Sequence, residues 1–570
     1  MNELNELLSQ GRRAEALALA RQAYDPSNVE SQLRLAQVCL RAGEIEEATT
    51  LFEQALKPGI GVAQHWRLLA VLRGRRGDRP GEVQAVTEAV RLAPGDVALR
   101  LHLAAALLDA GQRPEALSAV IAALSMQDTV EGRRLFVEAI QGSTRTDPEI
   151  RAWLLRAVTE AWGRFHALFS PAMAVVRAGG RPLEEDELFG ALLVAGPVPG
   201  AALERELTTL RRRFLLDGRG PPEFLKKLAA QADSNEYCWY VSPEEEAALE
   251  ALPPGDPLRA LYEGPRDPIV DDIPVLTPIG AGVSAAVRRM YEENPYPRWV
   301  KAPAQAPIGL ELALKAIFPQ ATIDPIPGSE ILVAGCGTGQ HAIQVAQRYV
   351  GSQILAIDLS RASLSYARRK STELGLSNIS FGQADLMELG SVGRTFDSVE
   401  CAGTLQHLED PFAGFKVLVG LLKPGGVMKI ALYSRTAREE LAPAMQLAKG
   451  FESTPAGIRA FRRAIMEAPE GDPLRAALAW NDFYSAGMCR DLLMHVQEHQ
   501  SEVSDVRRMI DENGLRLIGF ILPPEVLLAY RRAYPSDPAA LNLDNWAEFE
   551  ARHPQTFRNM YQFWLQKPLG

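Results

Sequence analysis

The feature that most constrains this chain is the segment ILVAGCGTGQ at residues 331–340, where three glycines follow directly on an apolar run. The apolar run reads as a buried parallel strand, GCGTGQH as a sharp turn into the helix HAIQVAQRY, and QILAIDLS as a second strand. Glycines in such a turn let the backbone pass close to a ligand, and the helix that follows opens with unpaired amide groups. The segment therefore predicts a βαβ unit with a ligand site at its turn.

Later segments decide which ligand this is, because dinucleotide, flavin and adenosylmethionine sites all use glycine-rich turns. Asp358 ends the second strand, where a carboxylate can bind both hydroxyls of a ribose. SFGQADLMEL brings Asp385 to the end of a third strand, and FDSVECAGTLQHLEDP and LLKPGGVMKIALYS supply a fourth and a fifth. Near the C-terminus, LRLIGFILP and MYQFWLQK are two more strand-like runs.

In order and spacing these segments resemble the class I S-adenosylmethionine-dependent methyltransferase family. The resemblance implies an α/β Rossmann-like domain with a mixed seven-stranded sheet, a last antiparallel strand, and S-adenosylmethionine as cofactor. Asp358 is then expected on the ribose and Asp385 near the adenine amino group. The full set of expected cofactor-binding residues is Gly335, Cys336, Gly337, Gly339, Gln340, Asp358, Leu359, Ala384 and Asp385.

One position departs from that family. Two residues before the first glycine the family usually carries an acidic residue, and here that position is Val333. The ammonium group of the cofactor's methionine end must therefore find another partner. Gln340 and His341, just past the loop, are the candidates that the sequence offers.

The N-terminal part shows an internal repeat. Glycines recur at intervals of 32, 34 and 34 residues, each between two helical apolar patterns, at Gly11, Gly43, Gly77 and Gly111. Small residues follow five positions later at Ala16, Ala48 and Ala116, where two helices must approach closely, whereas the third repeat has Glu82. The period and the small residues resemble tetratricopeptide repeats. Such repeats form a concave surface suited to extended peptides, and the alternative is a scaffold or homodimer interface.

The predicted organisation is an α-helical repeat solenoid followed by the α/β domain. The boundaries are 1–125 for the tetratricopeptide-like repeats, 126–252 for a helical extension or cap, 253–279 for a Pro-rich linker, and 280–570 for the class I methyltransferase domain with a helical insertion at about 436–510. The linker contains seven prolines, which neither a helix nor a central strand accepts.

Before the first strand stands MYEENPYPRWV at residues 290–300, a run that resembles a segment of bacterial proteins joining tetratricopeptide repeats to a methyltransferase. In the methyltransferase family, segments at this position fold over the cofactor. We therefore expect lid or acceptor roles, with Tyr291 and Tyr296 as catalytic and Asn294 and Arg298 as substrate-binding residues. The alternative is a rigid turn, formed by the prolines and packed by Trp299.

Further candidates follow the fourth strand. Glu400 and Glu409 have a spacing similar to the paired glutamates of protein arginine methyltransferases, in which two carboxylates hold a guanidinium. The run LQHLEDP is equally typical of enzymes that act on small molecules. His407 is a candidate general base, because the free pKa of histidine lies near neutrality, or else a structural histidine.

The segment DFYSAGMCRDLLMHVQEH reads as helical from about Arg490 onward and contains His495 and His499 in an inverted zinc motif, HxxEH. A metallopeptidase would need a third ligand and a separate domain. We therefore expect no metal, with His495 and His499 as catalytic residues and Tyr484 as a substrate-binding residue of the acceptor pocket. Packing within the helix is the alternative.

Composition and charge bound the remaining classes of function. A formal net charge of −10 argues against nucleic acid as a partner. The start, MNELNELLSQGRR, lacks the apolar run of a secretory signal, and nowhere do about eighteen consecutive apolar residues occur, so no membrane contact and a cytoplasmic location are expected. The leading hypothesis is methylation of a peptide or protein side chain captured by the repeats. The alternatives are a small-molecule acceptor, a natural product or a sugar, and an adaptor without enzymatic activity.

Overall fold

A computed structural model describes residues 2–264, 269 and 272–569 of the chain. They form two compact units: one contains the chain up to residue 157 together with 170–175, and the other contains 158–169 together with 176–570. Among the described residues, no helix combines the length and the apolar character needed to cross a membrane.

The first unit is an array of helix pairs, as the glycine spacing predicts. Its helices are α1 Asn2–Ser9, α2 Arg13–Gln22, α3 Val29–Ala42, α4 Ile45–Ala55, α5 Ala63–Arg75, α6 Arg79–Leu92, α7 Val97–Asp109, α8 Arg113–Met126, α9 Val130–Ala139 and the start of α10 Pro148–Thr159. The turn within each pair contains one of the repeat glycines with φ between 74° and 98°. The repeat alanines are fully buried, whereas Glu82 reaches Arg79 at 2.8 Å and so satisfies its charge at the same position.

The second unit contains a seven-stranded sheet in the order β3-β2-β1-β4-β5-β7-β6. β7 is antiparallel to both of its neighbours, and the other pairings are parallel, so the predicted mixed sheet is confirmed. Its strands are β1 Glu330–Ala334, β2 Gln353–Asp358, β3 Ile379–Gln383, β4 Phe396–Ala402, β5 Leu422–Leu432, β6 Arg516–Phe520 and β7 Tyr561–Gln566.

Helices precede, connect and follow these strands along the chain. They are α11 Phe165–Gly179, α12 Glu187–Ala195, α13 Ala201–Leu216, α14 Pro222–Ser234, α15 Pro243–Ala251, α16 Val283–Glu293, α17 Leu310–Ile317, α18 Gln340–Arg348, α19 Arg361–Glu373, α20 Pro411–Gly420, α21 Arg435–Arg438, α22 Ala442–Ala448, α23 Pro455–Glu467, α24 Ala486–Leu493, α25 Val503–Glu512, α26 Pro524–Ala533 and α27 Leu543–Arg552. Alternate residues of β1 enter the cores on opposite faces, with Leu332 on one side and Val333 on the other.

The helical extension from residue 176 belongs to the same compact unit as the sheet. Glu204 of α13 pairs with Arg462 of α23 at 2.6 Å, and both side chains are almost completely buried. Asn235, after α14, accepts a hydrogen bond from the backbone of Ala486 at the start of α24. The extension and the helices between β5 and β6 therefore share an interior. The compact units divide the chain at other places than the predicted boundary at 126.

The segment predicted as a Pro-rich linker, 253–279, falls partly on residues 265–268, 270 and 271, which lie outside the described residues. Its remaining part is structured. A 3₁₀ helix spans Pro257–Leu261, and Val275 forms a parallel bridge to Gln383 at the free edge of β3. The backbone of residues 274–276 is therefore held by the sheet of the second unit.

Candidate active site

Two glycines of the glycine-rich loop, Gly335 and Gly337, have no room for a side chain. A Cβ on Gly337, where φ is 52°, would lie 2.3 Å from the backbone oxygen of Tyr296. A Cβ on Gly335, where φ is 68°, would lie 2.0 Å from Oγ1 of Thr404, in the loop after β4. Glycine is needed at both positions, because both the left-handed backbone and the close contact exclude a larger residue.

The amide groups of the loop are already used within the protein. Four N–H groups donate as follows: Cys336 to the oxygen of Ile357 at 2.8 Å, Gly337 to Oδ2 of Asp358 at 2.8 Å, Thr338 to the oxygen of Tyr296 at 2.9 Å, and Gly339 to the oxygen of Cys336 at 2.9 Å. A pyrophosphate would need such amides as donors. The loop therefore suits a ligand without phosphates better than a dinucleotide.

Asp358, at the end of β2, adjoins this loop. Its carboxylate accepts one hydrogen bond from the amide of Gly337 and another from the amide of Ser360 at 2.9 Å, one on each oxygen. Burial raises the pKa of Asp358 to about 6, although both amides favour the charged form. Each oxygen keeps a lone pair for a further donor, such as a ribose hydroxyl. Leu359, the next residue, accepts a bond from the side chain of Gln383.

Asp385, after β3, is buried and anchored by the segment that precedes α16. One oxygen accepts from the amide of Gly280 at 3.0 Å and the other from the amide of Met387 at 3.1 Å. Its neighbour Ala384 donates to the backbone oxygen of Asp358 at 3.0 Å. The ends of β2 and β3 therefore bring the two predicted carboxylates to one edge of the sheet.

The segment after α16 lies directly on the glycine-rich loop. Thr338 donates through its hydroxyl to the oxygen of Pro297 at 2.6 Å, and the indole N–H of Trp299 reaches Thr338. The side chains of the two predicted substrate residues are engaged elsewhere. Asn294 donates to Glu236 at 3.2 Å, and Arg298 donates to Asp233 at 2.9 Å.

A second group of side chains, which we call the tyrosine-histidine cluster, gathers beside the ends of β4 and β5. It consists of Tyr291, Tyr296, His407, Tyr433, Asp491 and His495. The hydroxyl of Tyr291 donates to Oδ1 of Asp491 at 2.6 Å and lies 3.1 Å from Nε2 of His495. Tyr433, directly after β5, donates to the other oxygen of Asp491 at 3.4 Å. The end of α16 and the residue after β5, which are remote in sequence, thus converge on one carboxylate of α24.

The backbone of Gln497 fixes the tautomers of both histidines. Its carbonyl can only accept, so His407 donates to it from Nδ1, at 2.8 Å. Its amide can only donate, so His495 accepts from it at Nδ1, at 3.0 Å. His407 therefore presents an unprotonated Nε2, whereas Nε2 of His495 carries the proton and donates to Tyr291.

Burial sets the protonation of the cluster. It lowers the pKa of His407 to about 4 and the pKa of His495 to about 2, the latter also because the two rings are adjacent. Burial likewise raises the pKa of Asp491 to about 6 and that of nearby Asp482 to about 7. It holds the pKa of Tyr291 well above its ordinary value. Both imidazoles are neutral near pH 7, and the tyrosine keeps its proton.

The residues that match the inverted zinc motif do not lie on one helix. Helix α24 ends at Leu493, so His495 and His499 do not share a helix face as the sequence suggested, because the chain turns away after that residue. Glu498 of the motif pairs with buried Arg438, and the ring of His499 lies 2.9 Å from the side-chain amide of Gln497. Glu498 and His499 therefore serve the packing of this loop, whereas His495 belongs to the tyrosine-histidine cluster.

A different trio, His407, Asp491 and His495, has donor atoms within 4.8 Å of one another. An ion about 2.1 Å from both imidazole nitrogens would have to lie near both ring planes, where the lone pairs point. The planes are inclined by only 22° and the rings are stacked at 3.7 Å, so no single point near both nitrogens satisfies this. The donor set does not suit one metal ion, and the absence of a resident metal stays a prediction.

The two glutamates of the paired-carboxylate hypothesis lie in different surroundings. Glu400 is buried and pairs with Nε2 of His341, the second residue of α18, at 2.7 Å. Glu409 is exposed and lies shortly after the 3₁₀ turn that follows β4. Alternation along β4 turns Glu400 toward α18, and the pairing of the two glutamates around a guanidinium stays a prediction.

Tyr484, predicted for the acceptor pocket, is a core residue. Its hydroxyl donates to the oxygen of Leu478 at 2.8 Å, within the hydrophobic cluster formed by the helices between β5 and β6. Sequence reasoning missed Asp491 and Tyr433 instead. The signal for Asp491 was its position four residues before His495, and the signal for Tyr433 was its place directly after the fifth strand.

Comparisons with known proteins agree with this geometry. Residues 331–426 match a family model described as a methyltransferase domain, and residues 7–72 match one described as a tetratricopeptide repeat. An uncharacterized protein of Synechococcus sp. is 31% identical over 199 residues, which are 33% of this chain and 48% of that protein. A ubiquinone biosynthesis O-methyltransferase of Methylocella silvestris is 36% identical over 115 residues, 20% of this chain and 43% of the enzyme.

Among solved structures, PKMT2 from Rickettsia typhi in complex with AdoHcy aligns with a TM-score of 0.36 at 16% identity, over 48% of this chain and 54% of that one. The chain spans about half the length of the relatives that it matches. The matched family models coincide with the helical repeats and with the glycine-rich loop and strands β1 to β5. The chain thus carries tetratricopeptide repeats at its N-terminus and, after them, a methyltransferase domain.

Proposed function

We propose that this protein transfers a methyl group from S-adenosylmethionine to a side chain of a peptide or protein that the repeats capture. The observation that supports methyl transfer is the unprotonated Nε2 of His407, which lies buried within the loop after β4. Thr404, three residues earlier, contacts Gly335 of the glycine-rich loop. A proton acceptor is thereby held close to the expected cofactor site.

The geometry of the sheet edge supports the cofactor site that we propose. Gly335, Cys336, Gly337, Gly339 and Gln340 would border the methionine end. Asp358 would bind the ribose through the free lone pairs of its carboxylate, and Leu359 would lie beside it. Ala384 and Asp385 would border the adenine. The cofactor, when bound, supplies an electrophilic methyl group.

The protein has to align the acceptor, exclude water and take up one proton. Once an acceptor hydroxyl oxygen carries the new methyl group, its proton is strongly acidic, so a base with a pKa near 4 suffices. His407 takes that proton on Nε2, while its Nδ1–H stays bonded to Gln497. The imidazolium that forms is placed near the carboxylate of Asp491, which compensates its charge.

The other predicted residues have positioning roles in this proposal. Tyr291 keeps its proton and ties Asp491 to His495, and Tyr296 places its backbone oxygen against the loop amide of Thr338. Asn294 and Arg298 hold the segment over the loop through partners in the helical extension. Direct contact with the acceptor is left to Tyr433 and His407.

The peptide acceptor rests on the repeats, because stacked helix pairs form an extended concave surface of the kind that binds peptides. A small-molecule acceptor is the alternative, with the repeats serving assembly. The match to ubiquinone biosynthesis O-methyltransferases favours it, since their acceptor is a small molecule.

The test is to incubate the full-length protein with labelled S-adenosylmethionine and a bacterial extract, and to separate polypeptides from small molecules. We expect label in polypeptides, and loss of that label with a chain that starts at residue 158, provided that its circular dichroism shows a folded second unit. Label confined to small molecules would overturn peptide methylation. Equal labelling of polypeptides by the shortened chain would overturn capture by the repeats.

A further inference from the structure

The missing acidic residue of β1 has a counterpart on the adjacent strand. Val333 pairs in register with Glu400 of β4, and side chains at paired positions of neighbouring parallel strands project to the same face of the sheet. On that face Val333 packs against Ala342 and Val345 of α18. Glu400 meets the same helix through its bond to His341. A carboxylate therefore stands one strand away from the uncharged position, at the same level of the sheet.

Glu400 has one oxygen that the protein leaves unsatisfied. Oε2 is bonded to His341, whereas Oε1 is fully buried and meets no donor among the described residues. Lys429 occupies the paired position on β5, yet no hydrogen bond or ion pair to Glu400 is among the described contacts. A buried acceptor without a donor costs about 1–3 kcal/mol, and more when it is charged. Such an atom points to a donor that a ligand brings.

Glu400 stays charged despite this burial. Burial raises its pKa, but the hydrogen bond from His341 and the nearby charge of Lys429 outweigh burial and leave the pKa below its ordinary value. Burial lowers the pKa of His341, so this residue acts as a neutral hydrogen-bond donor. His341 stands in the first turn of α18, one residue after Gln340 and two after the last glycine of the loop. The pair is thus tied to the helix that opens at the expected methionine end of the cofactor.

We infer that Glu400, positioned by His341, accepts a hydrogen bond from the ammonium group of the cofactor's methionine end in place of an acidic residue at 333. This inference rests on the proposed function. It accounts for the unsatisfied oxygen, for the bond to His341 and for the neutral Val333 together. Gln340, the other candidate, makes no side-chain hydrogen bond among the described contacts that would orient it toward that end.

Two ligands separate this role from a structural one. S-adenosylhomocysteine carries the ammonium group, whereas 5′-methylthioadenosine has the same adenosine and thioether without the amino-acid end. We expect Glu400→Gln in the full-length protein to lower the affinity for S-adenosylhomocysteine by about 10-fold to 100-fold, the effect of losing a hydrogen bond to a charged group. The affinity for 5′-methylthioadenosine should stay that of the wild type, which also shows that the site is folded.

His341→Gln should weaken S-adenosylhomocysteine less than Glu400→Gln does, again without affecting 5′-methylthioadenosine. Glu467→Gln, on an exposed glutamate, is the matched control and should change neither affinity. Equal weakening of both ligands, or no weakening of S-adenosylhomocysteine, would overturn the inference. If the wild type binds S-adenosylhomocysteine but methylates nothing, the proposed function fails while the inference about Glu400 stands.

Discussion

The imidazole of His407 is stacked on that of His495, with ring centroids 3.7 Å apart. Two imidazolium ions could not occupy these positions, because their charges would repel at short range in a buried site. The backbone of Gln497 reinforces the neutral forms, since it accepts from one ring and donates to the other. The stack therefore gives a fixed, neutral pair in which only His407 offers a free nitrogen lone pair.

Replacing His407 with asparagine tests that assignment. Asparagine can still donate to Gln497 but has no basic nitrogen, so we expect kcat to fall by about 10²-fold to 10⁴-fold, the usual contribution of a general base. The affinity for S-adenosylhomocysteine, measured by calorimetry, should not change. Because the pKa of His407 is about 4, its titration should not appear in the kcat profile of the wild type between pH 6 and 8.

His553→Asn is the matched control for this variant, since His553 is exposed near the end of α27. It should retain wild-type kcat. A His407→Asn protein with undiminished kcat would show that the proton leaves by another route, and that the stack is only structural.

Asp491→Asn should make the protein more stable and less active. Burial raises the pKa of Asp491 to about 6, above its unfolded value, so this carboxyl group favours the folded state when protonated. Its stabilising effect is complete below about pH 4 and is lost as the pH rises through 6. Between pH 4 and pH 7 the free energy of unfolding of the variant should therefore rise by about 3 kcal/mol relative to that of the wild type, because one pKa unit corresponds to about 1.4 kcal/mol.

Urea denaturation at several pH values measures this difference directly. Asp511→Asn, at an exposed aspartate of α25, should follow the pH dependence of the wild type. An unchanged pH dependence in Asp491→Asn would contradict the raised pKa. Full activity in the stabilised variant would contradict the role of Asp491 beside the base.

The fold, and the meeting of Asp358 and Asp385 at one edge of the sheet, could be predicted because their signals are local. The glycine-rich turn, Asp358 and Asp385 each follow a strand whose apolar run is visible in the sequence, and parallel strands bring such ends to one edge. The same holds for the repeat glycines, whose left-handed backbone ends one helix and begins the next.

The tyrosine-histidine cluster could not be predicted in the same way. Tyr291, His407 and Asp491 come from α16, from the loop after β4 and from α24, and only tertiary packing unites them. The helical pattern before His495 suggested a longer helix, but the chain leaves the helix after Leu493. Beyond that point Glu498 pairs with Arg438 of α21, and the backbone oxygen of Gln497 accepts from His407. The orientation of Glu400 likewise depends on the register of β4, which its sequence does not specify.

Gly337→Ala should abolish binding of S-adenosylhomocysteine. The added Cβ would lie 2.3 Å from a backbone oxygen of Tyr296, which no side-chain rotation can relieve. The segment over the loop must then move, and the bond from Thr338 to Tyr296 breaks. Gly351→Ala is the control, because Gly351 has a similar φ of 73° but no atom within 4 Å of the added Cβ.

Calorimetry with S-adenosylhomocysteine distinguishes the two glycine variants. The control shares the backbone strain of about 1–2 kcal/mol but should bind with wild-type affinity. Equal affinities for both variants would show that the segment over the loop can move without cost to binding. The contact of this segment with Gly337 would then not determine the affinity for the cofactor.

Glu204→Gln should destabilise the second unit by about 3–5 kcal/mol, because it leaves the charge of Arg462 buried without a carboxylate to balance it. Arg462 also donates to the backbone oxygens of Cys238 and Phe483, both at 2.7 Å, so it joins the helical extension to the insertion that carries Asp491. The matched control is Glu206→Gln, whose pair with Arg177 is exposed and should contribute less than about 1 kcal/mol. Urea denaturation of the full-length protein compares the two variants.

Equal destabilisation by both variants would contradict a special role for the buried pair. Replacing both partners together, with Glu204→Leu and Arg462→Met, separates charge from packing, because apolar residues of similar volume often substitute for a buried ion pair without loss. We expect the double variant to be more stable than Glu204→Gln alone. If it also loses methyl transfer while keeping its fold, the backbone bonds of Arg462, rather than its charge, position the helix that holds Asp491.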